Sequence, residues 1–156
     1  MLEIKRFKKP LAYVSVEGKQ ISRVPGVLAR LSTAVAKQKT NIYAMSSGDD
    51  DFGMFVLDEK AKDTKKSVEK ELERVKTYFD VVVVRGIGML TVKGDKVLSE
   101  RRLHDRVNEL LSEAGLAPFT IVQTMDNSLK LFFLEGETKK AYRVLTERVK
   151  YLVDYA

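Results

Sequence analysis

Met89-Leu90-Thr91-Val92-Lys93-Gly94 restates the pattern of Tyr13-Val14-Ser15-Val16-Glu17-Gly18 at an offset of about 76 residues. Both segments alternate in the two-residue period of a strand and end in a glycine, which lets the backbone leave the sheet. If the segments that follow them also correspond, the chain is a tandem repeat of one α+β unit.

They do correspond. After the first segment, Val24-Pro25-Gly26 leads into Val27, Leu28, Leu31, Ala34 and Val35, one apolar stripe at helical spacing. A proline in a first helical turn loses no intrahelical hydrogen bond. Asn41-Ile42-Tyr43-Ala44-Met45 and Phe52-Gly53-Met54-Phe55-Val56-Leu57 read as a hairpin about Gly48-Asp49-Asp50-Asp51. Asp63 or Thr64 is placed to cap a second helix with the stripe Val68, Leu72, Val75 and Phe79. The run Val81-Val82-Val83-Val84 suits a strand buried on both faces. Gly86-Ile87-Gly88 reads as a connector, since strand rather than helix follows it. The first unit is therefore βαββαβ.

In the second copy, Leu103, Val107, Leu110, Leu111 and Ala114 form the helical stripe, ended by Gly115. Phe119-Thr120-Ile121-Val122 and Leu129-Lys130-Leu131-Phe132-Phe133-Leu134 form a hairpin about Asp126-Asn127, and Thr138 caps a helix carrying Ala141, Leu145, Val149 and Leu152. Val153-Asp154-Tyr155-Ala156 is too short for a fourth strand. Leu2-Glu3-Ile4-Lys5-Arg6-Phe7, unassigned at the start, would supply it and leave no apolar edge open. The expected fold class is α+β: two ferredoxin-like units with antiparallel sheets and helices on one face. The first, residues 11–86, is inserted into the second, residues 1–10 plus 87–156.

With 44% hydrophobic residues the chain can bury a real core, and its +6 charge, from 28 basic and 22 acidic residues, permits a polyanion partner without requiring one. The absence of cysteine removes disulfides, thiolate nucleophiles and cysteine-based zinc sites, and makes the cytoplasm the expected compartment. No run approaches the ~20 apolar residues of a membrane helix, and the start of the chain is too polar for a signal peptide.

No nucleophile and base pair, carboxylate dyad or phosphate loop stands out, so catalysis has nothing to rest on. His104, the single histidine, reads as a solvated helix residue, and Asp49-Asp50-Asp51 as a solvated turn lacking the glycine and distal glutamate of a calcium loop. Gly26 has two readings. Without a Cβ it lets a ligand approach the backbone, with helix-start amides to receive a carboxylate, or it merely makes the turn. Asn41 either bonds a ligand or caps a turn. An outward pair of Tyr43 and Met45 would serve dimer packing or contact a ligand.

The Val24-Pro25-Gly26-Val27-Leu28-Ala29-Arg30-Leu31 helix start with Asn41-Ile42-Tyr43-Ala44-Met45-Ser46-Ser47 resembles the ACT domain, the amino-acid-sensing module of many biosynthetic enzymes. The insertion, together with Ser46-Ser47 and Ile121-Val122-Gln123-Thr124, is similar to the regulatory half of aspartokinases, where an acidic residue often stands at the position of Tyr43. In the second copy Gly94-Asp95-Lys96-Val97-Leu98-Ser99 replaces the Pro-Gly turn. The resemblance implies a non-catalytic allosteric regulator without cofactor or metal. Its effector would be an amino acid such as lysine, threonine or a branched-chain residue, bound at a subunit interface by Val24, Pro25, Gly26, Val27, Leu28, Asn41, Ile42 and Tyr43. It also implies a separate catalytic subunit; no segment is left for a kinase domain, and the initial methionine fits a free-standing regulator or a fragment of a longer kinase.

A homodimer is expected because Phe132 and Leu134 make the second face of their strand apolar. The alternatives are a regulator like the acetolactate synthase small subunit, or a nucleic-acid binder using Phe52, Phe55, Phe132 and Phe133, though no RNP-type motif surrounds these.

Overall fold

The computed structural model describes residues 2–75, 77–94, 100–126 and 128–149. These form, in chain order, β1 (Glu3–Arg6), β2 (Leu11–Glu17), α1 (Val27–Lys37), β3 (Ala44–Ser47), β4 (Asp51–Leu57), α2 (Ala61–Leu72), β5 (Asp80–Lys93), α3 (Glu100–Glu113), β6 (Thr120–Thr124), β7 (Ser128–Leu134) and α4 (Glu137–Glu147). The architecture is α+β. The chain divides into two units, Lys9–Ile87 and Met1–Lys8 with Gly88–Ala156.

In the unit Lys9–Ile87, β2 pairs antiparallel with β4 from Leu11↔Leu57 to Glu17↔Asp51, and β5 flanks its other side. The strand order is β3-β4-β2-β5. Alternation sends Val14, Val16, Phe52, Met54 and Val56 to one face, where they meet Val27, Leu31, Ala34 and Val35 of α1 and Val68 and Leu72 of α2. Each valine, leucine, phenylalanine or methionine buried in this way stabilises the unit by about 1.5–3 kcal/mol.

Several local expectations change here. Val81 and Val83 pack on this core, but Val82, turned by the strand's alternation to the face away from the helices, is 40% exposed. Gly86-Ile87-Gly88 does connect the units, whose boundary falls between Ile87 and Gly88, but β5 runs through it without a break. A bulge shifts the register between Leu11↔Ile87 and Tyr13↔Val84, and Gly86 takes the positive φ, 68°, that the bulge requires. Neither Asp63 nor Thr64 caps α2, which starts at Ala61 behind a 3₁₀ turn, Asp58–Lys60. Thr64 is instead fully buried, with a hydroxyl that has no partner among the described residues. Val75 and Phe79 pack on the core from beyond the helix end.

In the other unit, β5 pairs antiparallel with β1 from Glu3↔Lys93 to Arg6↔Leu90, and neighbours β7, which pairs antiparallel with β6. The amino-terminal strand thus lies beside Leu90 and Val92. Leu2 and Ile4 join a core of Leu90, Val92, Leu129, Leu131 and Phe133 against α3 and α4. Thr138 does not cap α4. Gly136 holds the cap position, and the buried Thr138 hydroxyl has no partner among the described residues. Asn127, Leu152 and the tail Val153 to Ala156 lie outside the described residues.

Phe132, between two core residues of β7, points to the opposite face and is 0% exposed within the single chain. It therefore needs no second copy to cover it, and only Leu134, 47% exposed, remains of that argument for a dimer.

Candidate functional site

The loop between β2 and α1 is fixed before the helix begins. Gln20 adopts a left-handed conformation, a 3₁₀ turn (Ile21–Arg23) follows, and Ile21 anchors it in the core. From the β3–β4 turn, Asp50 accepts the Gly18 N–H at its carbonyl (2.9 Å) and the Gln20 N–H at its carboxylate (2.7 Å). The Asp49 carbonyl accepts the Ser22 hydroxyl at 2.8 Å. The acidic turn is thus a brace for this loop rather than a merely solvated turn. The opposed Gly18 and Asp50 were visible in the sequence, but only the strand register shows that they meet.

Val24, extended and half-buried against the core, carries the chain to the exposed Pro25 and Gly26. Gly26 holds the helix cap position at φ 82°, and a Cβ built there would meet nothing within 4 Å. Val27 is buried and pins the first turn, while Leu28 is 48% exposed. The first intrahelical bond runs from the Arg30 N–H to the Gly26 carbonyl, so the N–H groups of residues 27–29 have no partner within the helix, and no side chain among the described residues caps them. Three such donors at the positive end of a helix dipole suit a carboxylate.

Asn41, Ile42 and Tyr43 precede β3 instead of belonging to it: the strand starts at Ala44, although the Tyr43 N–H already reaches the Phe55 carbonyl at 2.9 Å. Asn41 is exposed, and Ile42 is half-buried on the same core as Val24. Register fixes their place. Ala44 is level with Phe55 and Tyr13, whereas Ser47 is level with Phe52 and Val16. Asn41 therefore lies near the start of β2, and the Gly26 turn beyond its end. The 11 residues of α1, roughly 16 Å, separate the two. One copy of the chain does not bring Gly26 and Asn41 together.

Asp95 to Ser99, in the corresponding turn of the other unit, lie outside the described residues. The four phenylalanines of the nucleic-acid alternative are all buried: Phe52 is 8% exposed, and Phe55, Phe132 and Phe133 are 0% exposed, so none offers a ring for base stacking. Among the described residues no group of acidic, histidine or cysteine side chains could hold a metal ion, and no helix is long and apolar enough to cross a membrane. His104 is a half-buried helix residue 3.6 Å from Asp105.

Neither a protein-family model nor a curated protein sequence matches the chain. Solved structures do. The aspartokinase alpha and beta subunits superpose with a TM-score of 0.80 at 20% identity, over 94% of this chain and 97% of that one. This chain has the fold of aspartokinase regulatory domains. The regulatory subunit of aspartate kinase from Thermus flavus gives a TM-score of 0.74 at 13% identity, over 94% of this chain and 95% of that one. Aspartokinase III of E. coli, solved with lysine and aspartate, gives 0.68 at 13% identity over 94% of this chain but only 32% of the larger one. Within this aspartokinase-type fold, the Gly26 turn opens the first helix of the unit Lys9–Ile87.

Proposed function

We propose that this chain is a non-catalytic allosteric regulatory module that binds an amino-acid effector at a subunit interface and controls a separate catalytic subunit. The observation that carries the reading is the open backbone at Gly26, with three uncapped helix-start N–H groups, in a fold shared with aspartokinase regulatory subunits. The effector carboxylate sits on the N–H groups of Val27, Leu28 and Ala29, and the missing Cβ of Gly26 leaves it room.

The rest of the site comes from a second copy. β3 is the edge strand of its unit, and an antiparallel β3–β3 pairing across a two-fold axis sets the start of one strand beside the end of the other. That arrangement brings Asn41, Ile42 and Tyr43 of one copy to the Gly26 turn of its partner. Leu28 and Met45, 48% and 38% exposed, supply apolar surface to the contact. An effector bridging two copies binds the paired state better than the unpaired one, and this differential affinity is what allostery needs. Lysine, threonine and the branched-chain amino acids are the effectors to try first, and the cytoplasm is where such a regulator would meet them.

A thermal-shift screen of the common amino acids tests the proposal. A ligand present at 100 times its dissociation constant stabilises the folded state by about 2.7 kcal/mol. One amino acid should raise the melting temperature while RNA does not. No shift with any amino acid, alongside a strong one with RNA, would reverse the assignment.

A further inference from the structure

In the unit built from Met1–Lys8 and Gly88–Ala156, a groove runs between β1 and α4, lined by Arg6, Lys139, Tyr142, Arg143, Thr146 and Glu147. Ile4 turns into the core, so Arg6, two residues on, rises on the same side of the sheet, toward α4. Lys139 and Arg143 are one helical turn apart and stand together on the α4 surface. All three cations are exposed, and none forms an ion pair with a described carboxylate. In the groove between α1 and α2, Lys37 is held by Glu71, and Asp63 lies beside Lys66 and Lys70, so carboxylates there offset the cations. Tyr142, 36% exposed, shares the lining, with the Thr146 hydroxyl donating to its carbonyl at 2.6 Å.

We propose that this groove docks an extended, acidic segment of a partner polypeptide. Three cations without a described ion-pair partner, against the one carboxylate of the lining, select an anionic occupant, and the arginines can grip carboxylates with two parallel hydrogen bonds. The groove is open along its length, unlike the enclosed pockets that take small anions or nucleotides. Among the described residues β1 is paired on one side only, with β5, and an extended segment can add to such an edge through its main chain. Glu147, near the end of α4, disfavours an acidic residue at that end of the occupant. A single tyrosine offers too little stacking surface for a nucleic acid. This inference is independent of the effector site, which lies in the other unit.

The probe is a fluorescein-labelled octapeptide of alternating glutamate and serine, followed by fluorescence anisotropy at low and moderate salt. Wild-type protein should bind it, and the Arg6→Gln/Arg143→Gln variant about tenfold more weakly. The Lys66→Gln/Lys70→Gln variant, which removes two cations from the other unit, should bind like wild type. Should the arginine variant melt early, Lys139→Gln alone carries the comparison. No binding by wild type, equal losses in both variants, or displacement of the peptide from neither variant nor wild type by an unlabelled copy overturns the proposal. So does binding of tripolyphosphate or oligoribonucleotide at the groove without binding of the peptide.

Discussion

Tyr13 occupies the space that a side chain at Gly53 would need: a Cβ on Gly53 would overlap the tyrosine oxygen and Cζ. The two residues are near neighbours across the β2–β4 ladder, on the face away from the helices. The ring passes over the glycine to share a 3.0 Å hydrogen bond with Ser46 and to tilt against Phe55 at 4.9 Å.

Gly53→Ala should therefore displace Tyr13 and cost about 1–3 kcal/mol, the range of overpacking. Urea denaturation measures it. Tyr13→Ala should absorb much of the same loss, so the double variant should be less destabilised than the sum of the singles. Strict additivity would show that the tyrosine does not pack there in solution.

Asp58 should contribute stability that disappears in acid. Its carboxylate accepts the Arg85 guanidinium at 2.7 Å and the Gly86 N–H at 3.1 Å, and the Arg85 bond, above all, holds its pKa below the ordinary carboxylate value. A depressed folded-state pKa gives stability that is present above the unfolded value, about 3.9, and is lost as pH falls through the folded one. Arg85 is largely exposed, which limits the effect to about 1 kcal/mol. Asp58→Asn should lower stability near neutral pH, and its curve should converge with wild type only as pH falls through the lowered folded-state pKa. A gap that stays constant through that fall would mean that ionisation is irrelevant.

Deleting residues 1–7 removes β1, with Leu2 and Ile4, from the core around Leu90 and Val92. Hydrogen exchange should quicken in β7 and α4 and stay slow in β2 and β4. The reverse distribution would place the amino-terminal strand with the other unit.

How much of this was legible in the sequence differs by element. The alternation of Val14 with Val16, and of Leu90 with Val92, fixed which face meets the helices, because a period of two has only one answer once helices cover one side. The strand at Glu3–Arg6 followed from the need to complete a sheet. Four consecutive valines carry no period, so the exposure of Val82 could not be read. Thr64 and Thr138 look like caps, yet a threonine near a helix start can equally be buried inside it. At the candidate site, the Pro25-Gly26 turn was readable from residue types. The distance from it to Asn41 was not, since it depends on the register of β3 against β4.

The paired state also makes a prediction. Sedimentation should show a homodimer, and Leu28→Glu/Met45→Glu, on residues already exposed in one copy, should shift it to monomer without lowering the single-copy stability by more than a few tenths of a kcal/mol. A monomer in wild type at tens of micromolar would remove the two-copy site.

The effector site itself is tested most directly at Gly26. At φ 82° a valine would be strained, but asparagine tolerates this conformation, and its Cβ would point into open space. Gly26→Asn should therefore fold as wild type does, and only a ligand on the helix-start N–H groups would meet the new side chain. The decisive measurement is calorimetric titration of lysine, threonine and the branched-chain amino acids into both proteins. The account predicts that one of them binds wild type and that the variant loses at least about tenfold in affinity, or about 1.4 kcal/mol. Unchanged binding by a folded Gly26→Asn would contradict it.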